Sequence, residues 1–179
     1  MEADLVTIQP AQSQLRKVEI ANGKINFACL QADCPKSCCG PFGGVQRGIV
    51  SIDGRAFSEI VLTQSDADSL LNAGFAHLLE YLEPGKYRMR TLGDGTCCAL
   101  KDGLCTVNEN KPTVCRAFPF YVDMFVGLCA ITECPGFGVG WTRVSDLRPE
   151  VSAARSMYSY WLDVINSGHD DIDRTKENL

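Results

Sequence analysis

With 179 residues the chain is long enough to bury a core of its own, so covalent staples are not a condition of its folding. A net charge of -5, with Lys and Arg scattered rather than gathered in a stripe, argues against nucleic acid as a partner. No apolar stretch approaches the roughly 18 to 20 residues that span a bilayer; the best run, Phe118 to Ile131, is broken by Pro119, Asp123 and Gly127.

Residues 1–16 read as an N-terminal extension. Its acidic opening from Met1 to Asp4 runs to Pro10 without a basic segment, an apolar stretch or a small-residue cleavage site, so no secretory signal and a cytoplasmic setting are expected. Val18 and Ile20, then Ile25 and Phe27, alternate with polar residues on either side of Asn22-Gly23. That pair accepts the positive φ angles of a type I′ turn, and a β-hairpin is predicted. From 29 to 48 the periodicity disappears and Cys, Pro and Gly accumulate, which suits a loop shaped by a bound ion. Short strands are expected at Gly48 to Ile52 and at Ile60 to Leu62.

Ser65-Asp66-Ala67-Asp68 reads as a capping box that opens a short helix through Leu70 and Leu71 to a stop at Gly74. Phe75, Leu78, Leu79 and Leu82 then repeat at helical spacing up to a turn at Glu83-Pro84-Gly85, with a strand from Tyr87 to Arg90. Gly136-x-Gly138-x-Gly140 reads as a flexible turn. A nucleotide-binding glycine loop would have to leave a strand and open a helix at once, and the next helical pattern starts well downstream. Val151, Ala154, Tyr158, Trp161, Leu162 and Ile165 mark the apolar face of a helix ending at Gly168, with a flexible tail over 169–179. The fold class that follows is a single small α+β domain over 17–168, with short strands, a few helices and long cysteine-rich loops organised around a metal site.

Ten cysteines stand in two groups, Cys29, Cys34, Cys38 and Cys39, then Cys97, Cys98, Cys105, Cys115, Cys129 and Cys134. In a reducing compartment, closely spaced thiols serve as metal ligands or redox groups more often than as permanent disulfides; in an oxidising one the same spacing would read as disulfide pairs. Four thiolates satisfy either tetrahedral zinc or an iron-sulfur cluster. If 34–38 forms a helical turn, Cys34 and Cys38 share a face while Cys39 points about 100° away. The adjacent pair Cys38-Cys39 could then bridge two neighbouring sites, or leave one thiol free to react or pack. Cys134-Pro135 has the Cys-Pro step of ferredoxin loops, which leans toward iron-sulfur. His77 and His169 lack a metal-ligand partner at useful spacing, and Asp66, Asp68 and Glu80 read as caps and a solvated helix face. Arg116, beside Cys115, has two readings: a cation that lowers thiol pKa values, or an ordinary surface ion pair.

Cys29-x4-Cys34-x3-Cys38-Cys39-Gly40, Cys97-x2-Leu100, Cys105-x-Val107, Lys111-Pro112-x2-Cys115-Arg116-x-Phe118-Pro119 and Cys134-Pro135-Gly136-x-Gly138 together resemble the YkgJ-type cysteine-cluster family. That family is described as a zinc- or iron-chelating domain and is similar to the domain found in flagellin lysine methylases. The resemblance covers roughly residues 25 to 140, and its specificity lies in the ordered combination of the double cysteine with Cys-Arg-x-Phe-Pro. It implies metal ligation by Cys29, Cys34, Cys38, Cys39, Cys97, Cys105, Cys115 and Cys134, with an iron-sulfur cluster, four-iron in type, or alternatively Zn2+. The first cysteine spacings are wider than the family's two-residue gaps, and Asn108 stands where tyrosine is frequent. Lys111 replaces an arginine and lacks its bidentate fork. Cys98 and Cys129 fall outside the pattern and read as small buried hydrophobes. The resulting expectation is a metal-binding protein with a redox or protein-modification accessory role. The alternatives are a structural zinc module for protein interaction, or a component of protein lysine methylation. A protein partner or protein substrate is expected, and neither nucleic acid nor membrane.

Overall fold

In the computed structural model, which describes residues 15–34, 38–40, 62–131 and 134–176, Asn22 and Gly23 adopt φ angles of 52° and 71°. The expected turn therefore forms. Its arms, however, meet only through the bridge between Ala21 and Lys24. Upstream, β1 (Leu15–Lys17) pairs antiparallel with β8 (Gly127–Ile131), and downstream β2 (Lys24–Phe27) pairs with β9 (Phe137–Arg143). A two-stranded hairpin is marginal alone, and each arm gains a partner that leads it onto the core: Ile25 and Phe27 end 2% and 4% exposed. Leu15 and Arg16 thus belong to the folded domain rather than to an extension.

The helix expected after residue 65 is α1 (Gln64–Asn72), but its cap lies two residues earlier. Thr63 is the N-cap, its hydroxyl accepting from Asp66 N–H at 3.2 Å, so the box is Thr63 with Asp66 instead of Ser65 with Asp68. The second helix expected across Phe75 to Leu82 does not form. A 3-10 turn at Ala76–Leu78 gives way to β3 (Leu79–Glu83), which returns through Pro84-Gly85 into β4 (Lys86–Met89). Eight residues before a Pro-Gly turn are too few to sustain an independent helix. The Arg88–Glu80 ion pair at 2.8 Å and the edge-on Tyr81–Tyr87 ring pair reward the strand instead. The strand expected at Gly48 to Ile52 and most of that at Ile60 to Leu62 lie outside the described residues. Leu62 itself is buried and donates its N–H to Tyr87 O at 2.7 Å.

The second cysteine group is built on short elements that periodicity did not announce. These are the hairpin of β5 (Leu100–Lys101) and β6 (Leu104–Cys105), the helix α2 (Thr113–Ala117), and β7 (Phe120–Asp123), which pairs with β8. The glycine-rich segment after Cys134 is not a flexible turn but runs into the seven-residue strand β9. The last helix, α3, spans Arg148–Lys176, so it passes Gly168 and takes in 169–176 of the expected tail. One glycine costs a helix only about 1 kcal/mol relative to alanine, too little to stop a helix of 29 residues. Among the described residues no helix is long and apolar enough to cross a membrane.

Among the described residues two apolar cores result. The first joins Ile25, Phe27, Ala117, Phe120 and Ala130 to Leu147, Ala153, Ala154 and Met157 at the head of α3. Phe27 meets Phe120 edge-on, with ring centroids 5.2 Å apart. The second gathers Leu62, Leu70, Leu78, Leu79, Met89, Ala99 and Val107. The α+β class is therefore as the sequence suggested, although its apolar residues divide between two centres.

Gly136 lets β2 and β9 close on each other, because a Cβ there would stand 2.5 Å from Ala28 O and 2.8 Å from the Phe27 ring. Gly140 on the same strand would bring its Cβ no nearer than 3.5 Å to Ala28 Cβ, an ordinary contact. Gly136→Ala is therefore expected to destabilise the fold by about 2 to 3 kcal/mol, as overpacking does. Gly140→Ala should stay within about 1 kcal/mol of the parent. Urea unfolding midpoints of the two variants check the difference.

Candidate functional site

The cysteines lie on the seam between the two cores. Cys97, Cys98 and Cys105 rest half-buried against the second core, Cys134 against the first, and Cys38 and Cys115 with Phe118 and Tyr121 around the buried Ile131. Backbone geometry brings them there from two distant parts of the chain. Ala28 N–H donates to Gly136 O at 2.9 Å, so Cys29 leaves β2 beside the turn that carries Cys134. That turn is closed by Cys134 N–H to Ile131 O and Phe137 N–H to Cys134 O, at 3.3 and 3.1 Å. A 3-10 turn, Gln31–Asp33, then leads to Cys34.

The second group reaches over to meet the first. Cys97 N–H donates to Cys39 O at 2.9 Å. Between β5 and β6, Asp102 and Gly103 form a tight turn with φ of 51° and 76°, pressed against Ala32: a Cβ on Gly103 would lie 3.3 Å from both Ala32 Cα and Cβ. The same hairpin sets Cys105 opposite Leu100, whose N–H donates to Cys97 O at 2.9 Å. Cys115 sits in α2, whose first turn is held by α1. Asp66 Oδ1 accepts from Thr113 N–H at 3.0 Å and from its hydroxyl at 2.8 Å, while Oδ2 accepts from the Thr63 hydroxyl at 2.8 Å. Asp66 is thus more than a cap: it ties the second core to the cysteine helix.

Electrostatics report the same gathering. The Cys39 thiol donates to the Cys38 sulfur, and this, with Lys111 nearby, lowers Cys38 from the usual thiol value to about 6 against the opposing effect of burial. Cys39, which keeps the shared proton, is raised, further so by burial and by the charges of Cys38, Cys115 and Cys97. Burial raises Cys97, and repulsion from Cys105, Cys98 and Cys38 adds to it. Burial likewise raises Cys115, with repulsion from Cys97, Cys38 and Cys105 opposed in part by Lys111. Cys134 is pushed up to about 11 by burial and then by Cys34, Cys29 and Cys38. Tyr121, half-buried beside Cys115, is raised to about 12, desolvation being the larger cause. Each of the eight expected ligands therefore lies within electrostatic reach of at least one other.

Proximity is not yet coordination. None of the ten cysteines is in a disulfide, and among the described residues no three Cys, His, Asp or Glu side chains are set as a metal shell. The loops are organised around a gathering of thiols, not around a closed site. Packing against the cores holds the sulfurs where they are. Cys129, 4% exposed in β8, is a core residue as expected. Cys98 is half-buried, its N–H bonded to Arg90 O at 2.9 Å.

The cation beside the thiols is Lys111, not Arg116. Arg116 is exposed, and its guanidinium donates to Glu109 O and Lys111 O at 3.4 and 3.3 Å. Among the described residues these backbone carbonyls are the partners Arg116 takes. Lys111 stands just before the N-cap Pro112 of α2, so helical periodicity gave no signal of its place beside Cys115. Glu80, another acid weighed from sequence, pairs with Arg88, whose hydrogen bond holds its carboxyl below the usual range. Comparison with protein families, with curated proteins and with solved structures finds no match to this chain.

In reduced, metal-stripped protein, Cys38 should be alkylated ahead of Cys97 and Cys115, with reactivity rising through a midpoint of about 6 as its thiolate forms. Lys111 favours that thiolate, so Lys111→Met should move the midpoint upward. Iodoacetamide labelling followed by mass spectrometry from about pH 5 to about pH 9 measures both effects; a midpoint indifferent to Lys111 would remove it from the site.

Proposed function

We propose that this protein binds metal through the thiolates gathered on the seam between its cores, with an iron-sulfur cluster, four-iron in type, as the resident group and zinc as the alternative. The observation that carries the reading is the meeting of Cys38-Cys39 with Cys97, Cys105 and Cys115 across the Cys97–Cys39 backbone bond. Apolar packing alone has no need of so many half-buried thiols at one place.

The donor set fits soft metal chemistry, since every candidate ligand is a thiol and four thiolates suit either group. Burial and mutual repulsion oppose ionisation of Cys39, Cys97, Cys115 and Cys134. A bound cation reverses both effects by replacing the protons, and the energy of coordination then becomes energy that joins the two cores. Lys111 contributes a further positive charge and offsets part of the negative charge of a thiolate set. Bound here, an iron-sulfur cluster supplies one-electron chemistry and zinc a structural tie. The role that suits this is redox or protein-modification accessory work in the cytoplasm, lysine methylation included. A protein partner or substrate would meet the exposed Leu92 and Leu104 beside the second cysteine group.

Purified without oxygen, the chain is expected to be brown, with a visible absorption band bleached by dithionite and with iron and acid-labile sulfide in stoichiometric amounts. A colourless protein loaded with zinc selects the alternative, and absence of both metals overturns the reading. Because each ligating thiol must lose a proton, metal affinity should fall on acidification, by about tenfold per pH unit for each proton that returns. Chelator competition at a series of pH values measures that slope.

A further inference from the structure

The β2–β9 ribbon carries a further surface at the end away from the cysteines. Phe27 pairs with Phe137 at the cysteine end, while at the other end Ile25 stands opposite Thr142 and Lys24 directly opposite Arg143. Between the Ile25 and Phe27 pairs the register shifts, so that Asn26 alone spans the stretch from Gly138 to Trp141 in β9, with Gly138 at a φ of 81°. Such an arch turns side chains outward. Val139 and Trp141 are 56% and 59% exposed, and neither joins the core on which Ile25 and Phe27 pack. Thr142 gives its hydroxyl to Phe27 O, and Trp141 and Arg143 on either side of it are exposed. Like charges directly opposite on a ribbon oppose its pairing. Yet Lys24 and Arg143 are both exposed, and among the described residues neither takes part in an ion pair. In a chain of net charge -5, two unneutralised cations beside an exposed indole reverse the general sign.

We propose that this face of the ribbon docks an acidic segment of a partner protein, with Trp141 and Val139 receiving an apolar side chain and Lys24 and Arg143 pairing with the carboxylates that flank it. Charge complementarity selects the acidic occupant, and such a partner removes the repulsion between the two opposed cations. Trp and Arg are the residue types on which binding energy at protein interfaces concentrates, while the paired charges steer the encounter and fix its register. Nucleic acid needs a longer basic track than two residues, and an anionic membrane a cluster of about four to eight. The arch in β9 also interrupts the regular edge on which an added strand would be hydrogen-bonded, so recognition runs through side chains. The surface belongs to the ribbon of the first core, whereas Leu92 and Leu104 stand with the second cysteine group. The proposal therefore stands apart from whether the cysteines hold metal.

Selection of a phage-displayed library of random peptides on the purified full-length chain tests the proposal. The enriched peptides should place Asp or Glu on both sides of an aromatic or leucine side chain. A synthetic copy of one, labelled with fluorescein and followed by anisotropy, should bind Trp141→Ala at least about thirtyfold more weakly than the parent. It should bind Lys24→Glu about tenfold more weakly, with a shallower dependence on salt. Lys24→Glu sets a carboxylate opposite Arg143, so its urea midpoint should hold or rise, which separates lost docking from lost folding. Enrichment of no peptide, enrichment of peptides without acidic residues, or binding unchanged by Trp141→Ala overturns the proposal. So does single-stranded oligo(dT), or a phosphatidylserine vesicle, that binds through Lys24 and Trp141 in place of the peptide.

Discussion

The hydrogen bond from Cys97 N–H to Cys39 O, 2.9 Å long, joins the early cysteine loop to the late one and so joins the two halves of the molecule. On one side of it stand the β2–β9 ribbon, the sheet of β1, β8 and β7, and the head of α3. On the other stand α1 and the two small hairpins. Two further ties stand among the described residues. Asp66 spans from α1 to α2 with bonds to Thr113 of the charge-assisted kind, worth about 1.5 to 3 kcal/mol each, and Gly103 presses its turn on Ala32. Both ties lie beside cysteines, Thr113 two residues from Cys115 and Gly103 two residues from Cys105.

Charge follows from that placement. A thiol buried in an apolar seam resists ionisation, and several together resist it more, because each thiolate would face its neighbours in a medium that screens poorly. Cys38 departs from this because it accepts a hydrogen bond from the Cys39 thiol, lies near Lys111 and is met by a backbone N–H. The bond to Cys38 thus holds Cys39, and burial holds Cys97, Cys115 and Cys134, toward the neutral thiol, while Cys38 beside them is drawn toward the thiolate.

What could be read in the sequence was local in origin. Asn22-Gly23 declared its turn because both residues tolerate positive φ, and Gly74 and the Val151 to Trp161 pattern declared the limits or faces of helices for similarly local reasons. What could not be read was decided by distant partners. The arms of the first turn separate because β8 and β9 offer better pairing than they offer each other. Leu79 to Leu82 imitates a helix until the Pro84-Gly85 turn returns the chain as a strand. In α3 the buried face includes Ala153 and Met157, while Leu162 remains 37% exposed, since the helix is rotated to fit Phe120 and Ala117 rather than to hide its largest residues. The cysteine pattern was legible as an ordered set. The identity of its neighbouring cation was not, because whether Lys111 or Arg116 faces the sulfurs depends on which one the carbonyls before α2 capture.

The placement of the thiols also sets how damage would be felt. If they lay inside either core, losing them would unfold that core. Packed against the margins of two cores rather than at the centre of either, most of the sulfurs can be replaced by a smaller side chain without opening a cavity where the apolar packing is densest.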